Sequence, residues 1–222
     1  ASIYQVIGAS TEELSTLKDE IFVVAGPLGN ANEICANPKE FKDKSIVYIA
    51  GGVGIAPVYP QVKYLKEHGI KVDVIYGSRR KDLLLIRDEI ESVANSVQYA
   101  TDDGSYGTHG YVTDILKANL KKYDIVVAIG PIIMMKNIAE LTRKSKIKTI
   151  VSMNPLMVDG SGMCGACRVE VDGQSKFACV DGPEFDGHKV NFDLSLKRMG
   201  TYKPEEAEKW KQMKKVLKEL GE

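Results

Sequence analysis

Ser45-Ile46-Val47-Tyr48-Ile49-Ala50-Gly51-Gly52-Val53-Gly54-Ile55-Ala56-Pro57 is the stretch from which the architecture can be read. An apolar run, Ser45–Ala50, meets a cluster of glycines and then a pattern with helical spacing. Further apolar runs follow at Val72–Tyr76, Ser96–Ala100, Ile125–Ile129 and Thr149–Ser152. Helical patterns fall between them, near Pro57–Glu67, Leu84–Ala94, Tyr111–Leu120 and Met134–Thr142. Strand–helix alternation of this kind predicts an α/β fold with a doubly wound parallel sheet and crossover helices.

Outward from this core, four stretches differ in character. Residues 1–44 read as strand, short helix, strand and a Gly26-Pro27-Leu28-Gly29 loop, and residues 45–152 carry the alternation. Residues 153–190 are rich in Gly, Asp and Cys with little periodicity, so a metal centre is the natural candidate to hold them. Residues 191–222 form a tail with a helix expected from Pro204 to Leu220. Ala207, Trp210, Met213, Leu217 and Leu220 fall roughly on one of its faces, which predicts packing.

Composition narrows the function classes. The 222 residues carry 30 Lys+Arg against 30 Asp+Glu, so no basic surplus exists to neutralise nucleic-acid phosphates or an anionic membrane. No apolar run approaches a membrane span, and residues 1–6 lack the basic start and apolar middle of a signal peptide. A cytoplasmic location is the expectation. The chain opens without Met, with a strand expected at Ser2–Ile7, which predicts that an N-terminal piece is missing. Cys35 stands apart from Cys164, Cys167 and Cys179 and is expected to be structural, whereas clustered cysteines in such a protein point to metal or redox work.

The glycine turn after the first strand is where a doubly wound fold binds a pyrophosphate. Gly51, Gly52 and Gly54 let backbone come close, and the following helix offers free N–H groups and a positive dipole end. Pro57 takes the place of the third glycine of G-x-G-x-x-G, and such turns also occur for purely geometric reasons. At the end of the next strand, Ser78, Arg79 and Arg80 stand where an adenosine ribose would lie, and two arginines suit a 2′-phosphate, hence NADP(H). Gly130, Pro131 and Met134 follow the strand Ile125–Ile129 in a position that suits a nicotinamide ring. Asp103 and Gly104 either shape that pocket or form a tight turn.

Asp159-x4-Cys164-x2-Cys167-x11-Cys179 keeps the C-x4-C-x2-C spacing of plant-type [2Fe–2S] ferredoxins, with Asp at the first position. Gly160, Gly162 and Gly165 would let the loop wrap around inorganic sulfide. The rivals are a structural zinc held by Cys₃ and a carboxylate, and a redox dithiol. Asp159 is either the fourth ligand or a turn residue. Glu184 and Phe185, after the last Cys, either shield the centre or simply pack.

With these motifs in place, the chain resembles the ferredoxin–NADP reductase superfamily. Within it, the chain is similar to the small subunit of NADH-dependent ferredoxin:NADP oxidoreductase (the sulfide dehydrogenase type) and to the electron-transfer subunit of dihydroorotate dehydrogenase. The resemblance rests on residues 50–60, on Asp102-Asp103-Gly104-Ser105-Tyr106-Gly107, and on Gly130-Pro131-Ile132-Ile133-Met134-Met135. Met163-Cys164-Gly165-Ala166-Cys167-Arg168 and Cys179-Val180-Asp181-Gly182-Pro183-Glu184-Phe185 complete it.

The resemblance implies a ferredoxin–NADP reductase-like nucleotide domain preceded by a truncated β-barrel flavin domain and followed by a small [2Fe–2S] segment. It implies FAD, with Gly8-Ala9-Ser10-Thr11 as a flavin pyrophosphate loop through Gly8, Ser10 and Thr11. An ordinary N-cap for a helix Glu12–Leu17 would use the same residues. It implies NAD(H) rather than NADP(H), and a large flavoprotein/iron–sulfur subunit as partner. Asp159 favours the ferredoxin:NADP oxidoreductase type, because dihydroorotate-type subunits use four Cys. Hydride would pass directly between nicotinamide and flavin, so no general acid or base is expected, and His68, His109 and His188 read as surface residues.

Overall fold

A computed structural model describes residue 6 and residues 8–16 and 26–220 of the chain. The strand expected at Ser2–Ile7 and the second strand expected before the Gly26-Pro27 loop lie outside the described residues.

The main sheet is built from β1 (Ile46–Gly51), β2 (Val72–Ser78), β3 (Ser96–Thr101), β4 (Thr108–His109), β5 (Ile125–Ile129) and β6 (Lys148–Ser152). They pair in the order β4-β3-β2-β1-β5-β6, all parallel. Every residue of β1 is buried, as expected of a central parallel strand covered on both sides. The period-2 alternation of its side chains divides two cores. Ile46, Tyr48 and Ala50 join one with Val58, Val62 and Leu65 of the helix Ile55–Glu67. Val47 and Ile49 join the other with Val112, Ile115 and Leu116 of the helix Val112–Asn119 and Met135, Ile138 and Ala139 of the helix Ile132–Lys144. The doubly wound parallel sheet read from the sequence is what the chain forms.

In chain order the helices are α1 (Ala9–Thr16), α2 (Glu33–Ala36), α3 (Ile55–Glu67), α4 (Arg87–Val93), α5 (Val112–Asn119), α6 (Ile132–Lys144), α7 (Phe192–Met199) and α8 (Lys203–Leu220). Two helix starts lie three residues from the sequence expectation. Helix α4 starts only at Arg87, not Leu84, because Ile86 adopts a left-handed backbone, φ 44°, that a helix cannot include. Helix α1 starts at Ala9 rather than Glu12, so Ser10 and Thr11 lie inside its first turn rather than ahead of it.

The cysteine-rich segment is more regular than its composition suggested. Strands β7 (Arg168–Val171) and β8 (Gln174–Phe177) form an antiparallel hairpin closed by Asp172 and Gly173 at φ 54° and 73°. Two positive φ values in a two-residue turn match the right-handed twist of the flanking strands. A third strand, β9 (Glu184–Asp186), returns to the main sheet and pairs antiparallel with β6, Ser152 opposite Glu184 and Val151 opposite Phe185. The segment is therefore continuous with the nucleotide sheet. Helix α8 begins one residue before Pro204 and contacts α1, with Trp210 and Met213 half-buried and Ala207 exposed. Among the described residues, no helix is long and apolar enough to cross a membrane.

Candidate functional site

Chain direction in a parallel sheet brings the carboxyl ends of β1 and β5 side by side, and the two glycine loops follow from there. Gly51 ends β1, Gly52–Gly54 make one turn of 3₁₀ helix, and α3 starts at Ile55. A Cβ on Gly54 would stand 2.3 Å from the carbonyl oxygen of Ile129, the last residue of β5. One on Gly51 would stand 2.7 Å from both Pro131 Cδ and Met134 Sδ, and one on Gly130 would stand 2.9 Å from Gly51 N. Gly52 has φ +54° and faces open space. The structure thus brings Gly51, Gly52, Gly54, Gly130, Pro131 and Met134 together.

Two 13-residue helices, α3 and α6, begin at this junction, and neither has a side-chain cap hydrogen bond at its N-terminus. In α3 the Ile55 amide is taken by Gly52 O and Val53 O and Pro57 has none, so what each of these helix ends offers an anion is chiefly its positive dipole. Pro57 is the third residue of α3, where a missing N–H costs no intrahelical bond.

Ser78, Arg79 and Arg80 lie on the far side of β1, at the end of β2. A cleft of about 640 Å³ opens there between Arg80, Lys81, Asp82, Leu84, Arg87, Asp103 and Ser105. Arg80 is paired with Asp82 at 2.8 Å, both well exposed, which leaves its charge partly neutralised. Asp103 lies here too, three strands from the Gly130 loop in the order β3-β2-β1-β5, so it does not shape a pocket with Gly130. Its carboxylate accepts from the hydroxyl (2.6 Å) and the amide (3.0 Å) of Ser105, which hold it below the usual carboxylate range. Gly104, at φ +72°, donates its amide to Thr101 O, which completes a tight turn. Sequence reasoning did not single out Tyr106, whose ring carries Lys81 Nζ at 5.5 Å and Arg87 Cζ at 5.0 Å. It stands inside the Asp102–Gly107 motif, so a signal was present.

In the cysteine segment, Gly160, Gly162 and Gly165 take left-handed backbone at φ 77°, 84° and 67°. Any side chain there would be strained, and these turns fold the loop back toward Cys179. Cys167 and Cys179 are buried with their sulfurs 3.2 Å apart, whereas Cys164 is exposed. Asp159 Oδ1 accepts the Ser161 amide at 2.8 Å, and this bond, with help from the Cys164 thiol beside it, keeps the carboxyl ionised below its ordinary range. The Gly162 amide points at the Cys179 sulfur. Among the described residues no three His, Cys, Asp or Glu side chains converge in one metal-holding group. The donors stand instead as two pairs, Cys167–Cys179 and Asp159–Cys164. Three thiols, a carboxylate and amides aimed at sulfur are a donor set that fits an iron–sulfur centre.

The Gly8 loop is tied within itself. Thr11 Oγ1 accepts the Gly8 amide (3.1 Å) and donates to Gly8 O (3.0 Å), and the Gly8 backbone lies against the Trp210 ring. Ser10 occupies the first turn of α1.

A second polar cluster was not anticipated. Glu184, on β9, accepts from Gln61 Nε2 of α3 at 3.1 Å and from Asn32 Nδ2 at the head of α2. Burial pushes its carboxyl up, against the pull of those two donors. Cys35 lies beside it, with its thiol pushed up to about 11 by burial and by the Glu184 charge. His68 caps α3 through Tyr64 O, and His188 meets Thr142 at 3.0 Å, so neither stands at the glycine junction.

Comparison with known proteins bears on this arrangement directly. Residues 48–140 match the oxidoreductase NAD-binding domain, and residues 154–191 match the iron–sulfur cluster binding domain of dihydroorotate dehydrogenase B. An uncharacterized protein in the adh 3′ region of Clostridium beijerinckii is 51% identical over 92% of this chain and 71% of its own length. The dihydroorotate dehydrogenase B (NAD(+)) electron transfer subunit homolog of Thermotoga maritima is 45% identical over 99% of this chain and 76% of its own. In three dimensions, a chain of NADH-dependent reduced ferredoxin–NADP oxidoreductase, solved in connection with flavin-based electron bifurcation, superposes with a TM-score of 0.83. It is 43% identical and covers 94% of this chain and 75% of that one. Likeness of this extent, in sequence and in fold, places the chain in the family of dihydroorotate dehydrogenase B-type electron-transfer subunits, the family to which the subunit of NADH-dependent ferredoxin–NADP oxidoreductase also belongs.

Proposed function

We propose that this chain relays electrons between NAD(H) and a [2Fe–2S] cluster by way of FAD, and passes them to a larger flavoprotein/iron–sulfur subunit in the cytoplasm. In this reading Gly51, Gly52, Gly54 and Pro57 receive the pyrophosphate, Ser78, Arg79 and Arg80 the adenosine end, and Gly130, Pro131 and Met134 the nicotinamide. Asp159, Cys164, Cys167 and Cys179 hold the cluster, and Gly8, Ser10 and Thr11 belong to a flavin site. The four segments divide after residues 44, 152 and 190.

The observation that carries the reading is the β6–β9 pairing. It builds the cysteine segment onto the same sheet whose β1 and β5 loops form the glycine junction, so both sites share one rigid frame. When bound, these groups supply hydride exchange at the two organic rings and one-electron exchange at the cluster. The chain's own task is placement. Gly51, Pro131 and Met134 pack closely against one another, and the two helix starts without side-chain caps beside them favour negative charge there. The pairing of Arg80 with Asp82 supports NAD(H) over NADP(H), because a paired arginine offers less to a 2′-phosphate.

The test is anaerobic purification with iron, sulfide, zinc and flavin assayed on one sample, followed by titration with NADH and NADPH. About two irons and two sulfides per chain, bleached by NADH once flavin is bound, is the expected result. Zinc without sulfide overturns the proposal.

A further inference from the structure

The two ends of the ligand set, Asp159 and Cys179, are distant in sequence, and residues 28–32 touch the neighbours of both. Leu28 Cδ1 stands where it would be 2.7 Å from a Cβ on Gly160, next to Asp159. Asn30 donates its amide N–H to Gly182 O at 2.6 Å. Its side-chain Nδ2 donates to Asp181 O at 3.0 Å and Val180 O at 3.3 Å, the carbonyls immediately after Cys179. Gly29, at φ +72°, lies so near that a Cβ there would be 2.2 Å from Gly182 O.

Asn32, two residues on, grips the chain beyond Pro183 through its Nδ2 bond to Glu184. Its other side-chain atom is also used, since Oδ1 accepts from the amides of Ile34 (2.8 Å) and Cys35 (3.1 Å) and so caps α2. Glu184 in turn holds Gln61 of α3, the helix that begins at the glycine junction. The hydrogen bonds therefore run from the segment ahead of the sheet, across the residues behind Cys179, to the nucleotide-side helix.

On the reading that Cys179 is a cluster ligand, we propose that Asn30 is a positioning residue for the cluster, with Asn32 as its anchor. Asn30 holds the Val180–Gly182 turn that sets the direction of the Cys179 thiolate. Outer-shell hydrogen bonds of this kind orient metal ligands and tune the centre they hold.

The test compares wild type with Asn30→Ala, Asn30→Asp and Asn30→Gln in the complete chain. Iron and sulfide content, visible circular dichroism, the electron paramagnetic resonance of the reduced cluster and its midpoint potential are measured on each. Asn30→Ala is expected to shift the potential, alter both spectra and speed cluster loss in air several-fold. Asn30→Asp, which removes the donor and adds charge, should do so more strongly, and Asn30→Gln should restore part of the wild-type signature. Unchanged spectra and potential in Ala and Asp variants with full iron would overturn the proposal. If Asn30→Ala does not load, amide exchange of the cluster-free proteins decides. Faster exchange confined to residues 180–182 supports the clamp, and unchanged exchange overturns it. Absence of iron and sulfide from the wild type would instead refute the electron-relay reading beneath it.

Discussion

Gly54 packs so closely under β5 that its Cα faces the carbonyl oxygen of Ile129 with no space for a methyl group, the distance to an added Cβ being 2.3 Å. The contact is backbone to backbone, so neither side can yield by changing rotamer. Gly54→Ala is expected to destabilise the chain by about 2–3 kcal/mol and to weaken NADH binding at least tenfold, because α3 must move away from β5. Gly52→Ala meets no neighbour and only a left-handed backbone, so its cost should be near 1 kcal/mol. Thermal unfolding and a nucleotide titration of the two variants would check this order.

Asp73 holds the far end of β2 through a dense set of donors. Lys122 Nζ at 2.5 Å, Asn95 Nδ2 and Ser96 Oγ at 2.7 Å each, and Tyr123 Oη at 3.2 Å all converge on it. Burial alone would raise its pKa, yet the hydrogen bonds from Lys122, Asn95 and Ser96 bring it below the ordinary value. A lowered folded-state pKa means stability that is present above the unfolded value and lost as pH falls through the folded one. Asp73→Ala is expected to cost about 2–4 kcal/mol at neutral pH and to flatten the acid limb of the stability curve below about pH 4. Denaturant melts across pH 2–7 would show it.

Thiol chemistry should separate the four cysteines in the reduced, cluster-free chain. Cys164 is exposed, whereas Cys35 is half-buried with its thiol pushed up to about 11 by burial and the nearby Glu184 carboxylate. Thiolate is the reactive species, so Cys164 should alkylate first at pH 8. The Cys35 rate should keep rising about tenfold per pH unit toward pH 11. Mass spectrometry of iodoacetamide-treated samples over a pH series reads both.

Asp159 already stands beside Cys164, with its carboxylate held ionised by the Ser161 amide. As the proposed fourth ligand, its removal in Asp159→Ala should abolish the visible cluster spectrum or leave a labile remnant. Asp159→Cys should keep a two-iron cluster with an altered potential. Full iron and an unaltered spectrum in Asp159→Ala would return this residue to the role of a turn former.

Much of this arrangement is written locally. Apolar runs at strand length, helical spacing between them and glycines at the strand ends suffice to determine a doubly wound sheet, because period and turn chemistry are properties of neighbours in sequence. The Asp159-Cys164-Cys167-Cys179 spacing is local in the same sense and names the donor set. Even the β7–β8 hairpin carries a local sign in Asp172-Gly173.

Tertiary structure alone decided which of these pieces meet. Asp103 sits with Arg80 rather than with Gly130 because strand order, not sequence order, sets adjacency. Strand β9 joins β6, and Asn30 reaches Asp181 across 151 positions of chain, through contacts that leave no periodic mark in either segment. A half-buried carboxylate such as Glu184 looks like any charged residue until the fold removes much of its water and supplies Asn32 and Gln61 in exchange. The sequence by itself determined the kind of sheet and the chemistry of its ligands. The meeting of the glycine loops and the clamp behind Cys179 came only from the fold, since hydrogen bonds and close packing between distant segments depend on where the whole chain puts them.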